Sequence, residues 1–207
     1  LKFSSSEILQ NNSINIANSS PDRFYLDNGF NYAVFEITEN VNEGIIPFSI
    51  YDFRDMVGNL GQEVNQSNSS QMVILDDTPP SIFTLGEVRS KEGNEKNGYW
   101  NSTNREVSIA IPVENDTTLK DGSFQVQVKF QENYQDIGNL ISINQNSLGR
   151  DTLAIINGEL FLTHQDFEEN TNALFRVKVW DKAGNENYSN ASNDSLYIDT
   201  SKIIVTN

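Results

Sequence analysis

Cysteine is absent from all 207 residues, which removes disulfides, thiolate zinc sites and cysteine nucleophiles together. Histidine is nearly absent: His164 stands alone in Thr163-His164-Gln165-Asp166, a stretch that reads as an exposed turn. A Ser-His-Asp triad needs a base held against a nucleophile, and no pattern here marks one. Cations are scarce, with 14 Lys and Arg against 29 Asp and Glu and a net charge of −15. Such a chain is not expected to bind nucleic acid, because it cannot neutralise a phosphate backbone, and it is poorly suited to an anionic membrane surface. The acids are spread along the chain, which suits cation binding or solubility at high salt better than an acidic tail. No segment approaches the ~20 apolar residues of a membrane-spanning helix. Helical periodicity is nearly missing as well. The chain opens at Leu1 without a leader pattern, so it is expected to be a mature or excised part of something longer.

Period-two alternation is frequent instead. Val107, Ile109, Ile111 and Val113 fall on every other residue, as do Phe124, Val126, Val128 and Phe130, and then Phe175, Val177 and Val179. Each run predicts a strand with one inward face. Shorter strands are expected at 82–88, 140–143, 152–156, 159–163 and 196–198. Before Asp77 the pattern is thinner. It predicts strands around Ile14 and Ile16, over 30–38 with Ala33, Phe35 and Ile37 on one face, over 45–53 and over 72–75. Pro47 inside the third of these implies an edge or a bulge. Asp27-Asn28-Gly29 and Asn157-Gly158 are hairpin signals, and 92–98 reads as an exposed loop. Twelve Phe, seven Tyr and two Trp supply enough apolar surface for two modest cores.

One unit occurs twice. Asp55-Met56-Val57-Gly58-Asn59 is followed 22 residues after its Asp by Asp77-Thr78, and Asp181-Lys182-Ala183-Gly184-Asn185 is followed 18 residues after its Asp by Asp199-Thr200. Pro79-Pro80 then stiffens the chain and marks a boundary. The expected division is a short first unit over 1–78, a second over 79–200, and a tail strand or the start of a further unit over 201–207.

These pieces resemble the tandem bacterial immunoglobulin-like repeats of large surface proteins and adhesins. The likeness rests on Val177 through Asn185, on Leu75-Asp76-Asp77-Thr78-Pro79-Pro80-Ser81-Ile82, on Gly98-Tyr99-Trp100-Asn101 and on Leu119-Lys120-Asp121-Gly122-Ser123. It covers 79–200 end to end and the first unit from Glu43 onward. It implies an all-β fold of two tandem immunoglobulin-like β-sandwich domains, each able to fold alone at about 100 residues.

Each Asp-x-x-Gly-Asn motif has a plain reading as a turn, with Asp accepting backbone N–H groups and Gly or Asn taking a positive φ. The functional reading is Ca²⁺ at domain junctions, where hard oxygen ligands are needed. Its candidate ligands are Asp55, Asp76, Asp77, Asp181 and Asp199, and the resemblance implies that calcium there would stiffen the rod. Pairs such as Asp76/Asp77 or Glu168/Glu169 do not make a glycosidase by themselves, since neighbours on a strand point to opposite faces. Trp100 and Trp180 are expected to pack, although an exposed one would suit a sugar. Asn-x-Ser/Thr sequons begin at Asn11, Asn18, Asn65, Asn68, Asn101, Asn115, Asn187, Asn190 and Asn193. The last three are expected in one loop open to glycans.

The expected function is therefore non-enzymatic: an extracellular, cell-surface spacer or adhesion module whose partners are neighbouring immunoglobulin-like domains and a surface glycan or protein. Two alternatives stand beside it. One is an S-layer or pilus-type assembly subunit that donates strands. The other is a carbohydrate-binding accessory module of a secreted hydrolase.

Overall fold

A computed structural model describes residues 1–10, 12–69 and 71–204. The chain is all-β apart from one short helix and a 3-10 turn, and it divides into two compact units, Leu1–Asp77 and Thr78–Asn207.

The first unit is thinly layered. It contains β1 (Lys2–Phe3), β2 (Ser13–Ile16), β3 (Arg23–Asp27), β4 (Phe30–Val34), β5 (Gly44–Ile45), β6 (Phe48–Tyr51) and β7 (Ile74–Leu75). They form three small sheets, β1-β4-β3, β2-β6 and β5-β7. Asn28 and Gly29 both take positive φ, 46° and 79°, and this tight turn makes the β3–β4 hairpin. The expected strand over 45–53 is broken at Pro47, which donates no N–H and whose carbonyl accepts Ala17 N–H. It breaks again at Asp52, whose φ of 52° interrupts the alternation and turns Phe53 onto the same small core as Ile50. That core holds four buried residues, Ile14, Ile16, Ala33 and Ile50, with Phe3, Phe35, Ile46, Phe48 and Phe53 half-covering it. Strand β3 is absent from the expectation; all five of its residues are exposed, and it is held by the Asn28-Gly29 turn and its pairing with β4.

The second unit is a full two-layer structure. It contains β8 (Val88–Lys91), β9 (Tyr99–Trp100), β10 (Glu106–Pro112), β11 (Ser123–Lys129), β12 (Gln135–Asp136), β13 (Ile141–Ser142), β14 (Asp151–Asn157), α1 (Gly158–Leu162), β15 (Asn172–Trp180), β16 (Glu186–Tyr188) and β17 (Leu196–Ile198). One sheet runs β14-β10-β8, and the other runs β12-β11-β15-β17-β9 with β13 on β11 and β16 on β15. The β11–β15 register sets Val126 opposite Val177 and Val128 opposite Phe175. The inward rows of both sheets thereby meet in one core of 24 buried apolar residues.

Where a strand was expected over 159–163, Gly158–Leu162 form a helix with Thr163 as its C-cap. Asn157 is its N-cap rather than the first residue of a hairpin turn, its side chain accepting Glu159 N–H at 2.8 Å. Gly158 is needed there because a Cβ would meet the Arg105 carbonyl oxygen at 2.6 Å. The cap aims Phe161 inward, between Trp100, Phe130, Phe167 and Phe175 with ring centroids 4.9 to 6.2 Å away. Trp100 lies in β9 and is completely buried. The strand expected over 82–88 forms later, at β8. Before it, Phe83 and Leu85 pack on the core while the backbone makes an isolated parallel bridge, Thr84 to Asn190, and Gly86 N–H donates to the Ala110 carbonyl.

The Trp100 indole N–H has no hydrogen-bond partner among the described residues. Trp100→Ala should cost about 3–5 kcal/mol of second-unit stability. Trp100→Phe should cost less, since it keeps the contact with Phe161 and deletes an unpaired donor. Urea titration followed by Trp180 fluorescence measures both, and equal losses would contradict this account of the packing.

Candidate functional site

The two repeated turns are built alike around Asp and Asn and differ in one backbone donor. Asp55 Oδ1 accepts the N–H groups of Val57 and Asn59 at 2.9 and 2.8 Å, and its Oδ2 accepts Asn59 Nδ2 at 2.6 Å. Asp181 Oδ1 accepts the N–H groups of Gly184 and Asn185 at 2.8 and 2.9 Å, and its Oδ2 accepts Asn185 Nδ2 at 2.9 Å. Backbone bonds from Asp55 N–H to the Asn59 carbonyl and from Asp181 N–H to the Asn185 carbonyl close each loop. Gly58 and Gly184 take φ of 95° and 98°, which a side chain would strain. The returning chain then pairs with the strand before the turn: Val64 with Ile50 in the first unit, Ser189 with Val177 in the second. Each carboxylate thus holds its own turn.

A glutamate that sequence reasoning missed completes each unit. Glu43 and Glu169 both stand 12 residues ahead of the turn aspartate. Glu43 Oε1 accepts Asp77 N–H at 3.0 Å. Glu169 accepts both the backbone N–H of Thr200 and its hydroxyl, the latter at 3.0 Å. The residue after each glutamate has a positive φ, 112° at Gly44 and 60° at Asn170. A carboxylate at the head of the hairpin therefore anchors the Asp-Thr that ends the unit. The legible signal was Glu followed by Gly or Asn at a fixed distance from the turn.

The five proposed calcium ligands are consequently dispersed. Asp55 and Asp181 are engaged by N–H donors. Asp199 Oδ1 accepts the Ser201 hydroxyl and N–H at 2.6 and 3.1 Å. Asp76 and Asp77 lie at the end of the first unit, and Asp77 also shares a hydrogen bond with the Glu43 carboxyl. Among the described residues no group of three or more His, Cys, Asp or Glu is placed to hold a metal ion.

The exposed face of the β11–β15–β16 sheet carries a ladder of rings and cations. Arg176 lies 4.3 Å from the Tyr134 ring and 4.4 Å from Tyr188, and Lys178 lies 4.7 Å from Trp180 and 5.5 Å from Tyr188. Glu186 ties the end of the ladder, accepting from Lys178 and from the Trp180 indole N–H. The hydrogen bond from Lys178 holds the Glu186 carboxyl below its usual range, and the same bond lifts Lys178. Cations of the same sheet lie against these rings, so the ladder braces the sheet and presents no open aromatic platform.

His164 is half-buried. Its Nδ1 accepts Asp166 N–H at 3.2 Å, and its ring lies beside Phe130. Three sequons are likewise absorbed by the fold. The side-chain amides of Asn101, Asn187 and Asn190 donate to the Asn94 carbonyl, the Pro80 carbonyl and the Thr84 hydroxyl. Asn187 thus sits in β16 instead of a glycan-bearing loop. Asn11 lies outside the described residues. No helix among the described residues is long and apolar enough to cross a membrane. No family model matches this chain, and no curated protein matches it.

Two carboxyls of the first unit should titrate in opposite directions. Hydrogen bonds from Asn59, backbone foremost, hold Asp55 below the ordinary carboxylate range. Its contribution is present above the unfolded-state pKa and is lost as pH falls through the lowered value. The Glu43 hydrogen bond raises Asp77. Its contribution is present in acid, below the unfolded-state pKa, and is lost as pH rises through the raised value. Carboxyl-carbon NMR titration should place Asp55 below and Asp77 above the usual aspartate value, and the reverse order would contradict both assignments. In the second unit Asp181 is only 4% exposed. Asp181→Ala should cost about 1–3 kcal/mol by leaving its donors unpaired, measured by chemical denaturation.

Proposed function

We propose that this chain is a non-enzymatic structural module, two immunoglobulin-like units in tandem serving as a spacer in a larger extracellular protein of a cell surface or filament. The observation that carries this reading is the repeated hairpin, the same Asp-centred turn and the same glutamate anchor built into two units of very different size. The glutamate ties the end of each unit back to the start of its hairpin, and the aspartate fixes the turn within that hairpin, which is what a module loaded through its ends requires. The ladder on the second unit adds shear resistance between neighbouring strands rather than a ligand platform. The single histidine accepts Asp166 N–H within its own turn, and both turn aspartates take N–H donors of their own loops.

Calcium belongs to this proposal at one place. Asp55 and Asp181 fit it poorly, because their oxygens already take N–H donors. Asp77 and the Glu43 carboxyl share a hydrogen bond in acid and repel when both ionise, with Asp76 adjacent in sequence. A hard divalent cation would relieve that repulsion. Asp199 stands at the corresponding end of the second unit.

Stretching the chain between its ends should give two discrete unfolding events, the second unit yielding at the higher force because its core is larger. Smooth extension without discrete events would defeat the spacer reading. Thermal unfolding in Ca²⁺, Mg²⁺ and EDTA tests the ion separately. Calcium alone should raise the melting temperature of the first unit, and Asp77→Asn should cancel the rise. Identical melts in all three would remove calcium and leave the spacer standing.

A further inference from the structure

Asparagine followed by glycine occurs at Asn28-Gly29, Asn97-Gly98 and Asn157-Gly158. In such a pair the glycine backbone nitrogen, once it has given its proton to hydroxide, can attack the asparagine side-chain carbonyl carbon, Cγ. A C–N bond forms, the side-chain amide takes up a proton and leaves as ammonia, and a five-membered imide closes. Water then opens the imide at either carbonyl, so the sum is exchange of ammonia for water. The ring is nearly flat, and the glycine nitrogen must eclipse the asparagine Cβ. That sets the asparagine ψ at about −120°, the value of the first central residue in a type II′ turn.

The fold treats the three pairs differently. Asn28 and Gly29 are exposed and both have positive φ, the type I′ hairpin arrangement. Turning over the peptide between them converts type I′ to type II′. The flip keeps Asn28 φ positive and leaves Asp27 opposite Phe30, because both turns fit a two-residue hairpin. Gly29 N–H makes no hydrogen bond among the described residues, so the flip breaks none there. Asn97-Gly98 also forms a turn, with Tyr99 N–H donating to the Lys96 carbonyl, but only Gly98 has a positive φ. That is the type II arrangement, which holds its first central residue at a ψ of about +120° and flips to type I instead of II′. At Asn157 φ is −61° and ψ 136°. Ring closure there would break the 2.6 Å bond from Gly158 N–H to the Arg105 carbonyl and the cap from Glu159 N–H to Asn157 Oδ1.

We propose that Asn28 is a site of self-modification in the folded protein, converting through the imide to aspartate and isoaspartate while Asn97 and Asn157 persist, and that the conversion releases β3. Isoaspartate runs the backbone through its Cβ, adding a main-chain atom to a turn whose length sets the strand pairing. Aspartate puts a second carboxylate beside Asp27, whose Oδ2 accepts the Asn28 amide at 3.2 Å. Strand β3 has no buried residue to hold it once the turn fails. The reaction needs water alone and is independent of calcium and of the spacer role.

Incubating the whole chain in mildly alkaline buffer, with peptide mapping by mass spectrometry, tests this. Asn28 should convert faster than Asn157 by on the order of 10-fold or more, since two hydrogen bonds must break before Asn157 can react. In urea the three pairs should convert alike, each being an unfolded Asn-Gly. Asn28→Gly, which a type I′ turn accepts, should abolish conversion at this turn. In the aged chain amide hydrogen exchange over 23–34 should quicken, while exchange in the second unit stays as in the fresh chain. Asn28 intact in the folded chain but converted in urea overturns the proposal, as does Asn97 or Asn157 converting as fast as Asn28 in the folded chain. Conversion at Asn28 without faster exchange over 23–34 overturns the release of β3.

Discussion

The β11–β15 pairing is the contact on which the larger unit depends. Seven residue pairs in register, from Ser123 opposite Trp180 to Lys129 opposite Leu174, set two strands with the same inward parity side by side. A one-residue slip of β15 along β11 would turn Phe175, Val177 and Val179 to solvent together. Everything else in the unit protects that register. The Asp181 turn fixes where β15 ends. The ladder of Arg176 and Lys178 against Tyr134, Tyr188 and Trp180 binds the outer face, and Phe161 closes the interior from the end of a five-residue helix. Gly122 shows how tight the fit is, since a Cβ there would run into the backbone oxygens of Trp180 and Leu119.

The long strands were legible because both of their faces signal. Where Val, Ile or Phe recurs at every second residue for seven residues, the period alone decides, and β10, β11 and β15 appear where the alternation places them. Shorter pieces fail for identifiable reasons. Glu159 to Thr163 carries apolar residues at neighbouring positions, which either a strand or a helix can use. What decides between them is the Asn157 cap and the closeness of Gly158 to Arg105, and neither is visible without the fold. Strand β3 has no buried residue at all and is held by its Asn28-Gly29 turn and its pairing with β4. Its hairpin signal was readable, but the strand leading into it was not.

The candidate site divides the same way. The Asp-x-x-Gly-Asn repeat could be found by inspection, and its chemistry as a turn follows from short-range rules. The glutamate anchors show only as a shared spacing to the turn, and their role stays hidden because Glu43 and Glu169 meet Asp77 and Thr200 only after the chain has left and returned, 34 and 31 residues apart. Their consequence was also hidden. A carboxylate already holding a turn has little left for an ion, so proximity of Asp to a linker overstates its value as a ligand. The place where negative charge is crowded is the Glu43–Asp77 pair, and only the fold makes it a pair.

The two units use one hairpin design at two levels of burial. In the second it is backed by 24 core residues, and in the first by four. The turn and the anchor tolerate this because their hydrogen bonds are internal to the hairpin and need little beneath them. What the small core cannot supply is cover. Ile37, Ile45, Met72, Val73 and Ile74 remain on the surface of a unit whose hydrogen-bonded frame is otherwise complete. Large exposed apolar patches mark interaction surfaces far more often than they mark idle ones. In the second unit residues 80–85 lie along the chain returning from the Asp181 turn and bring Phe83 and Leu85 onto the core.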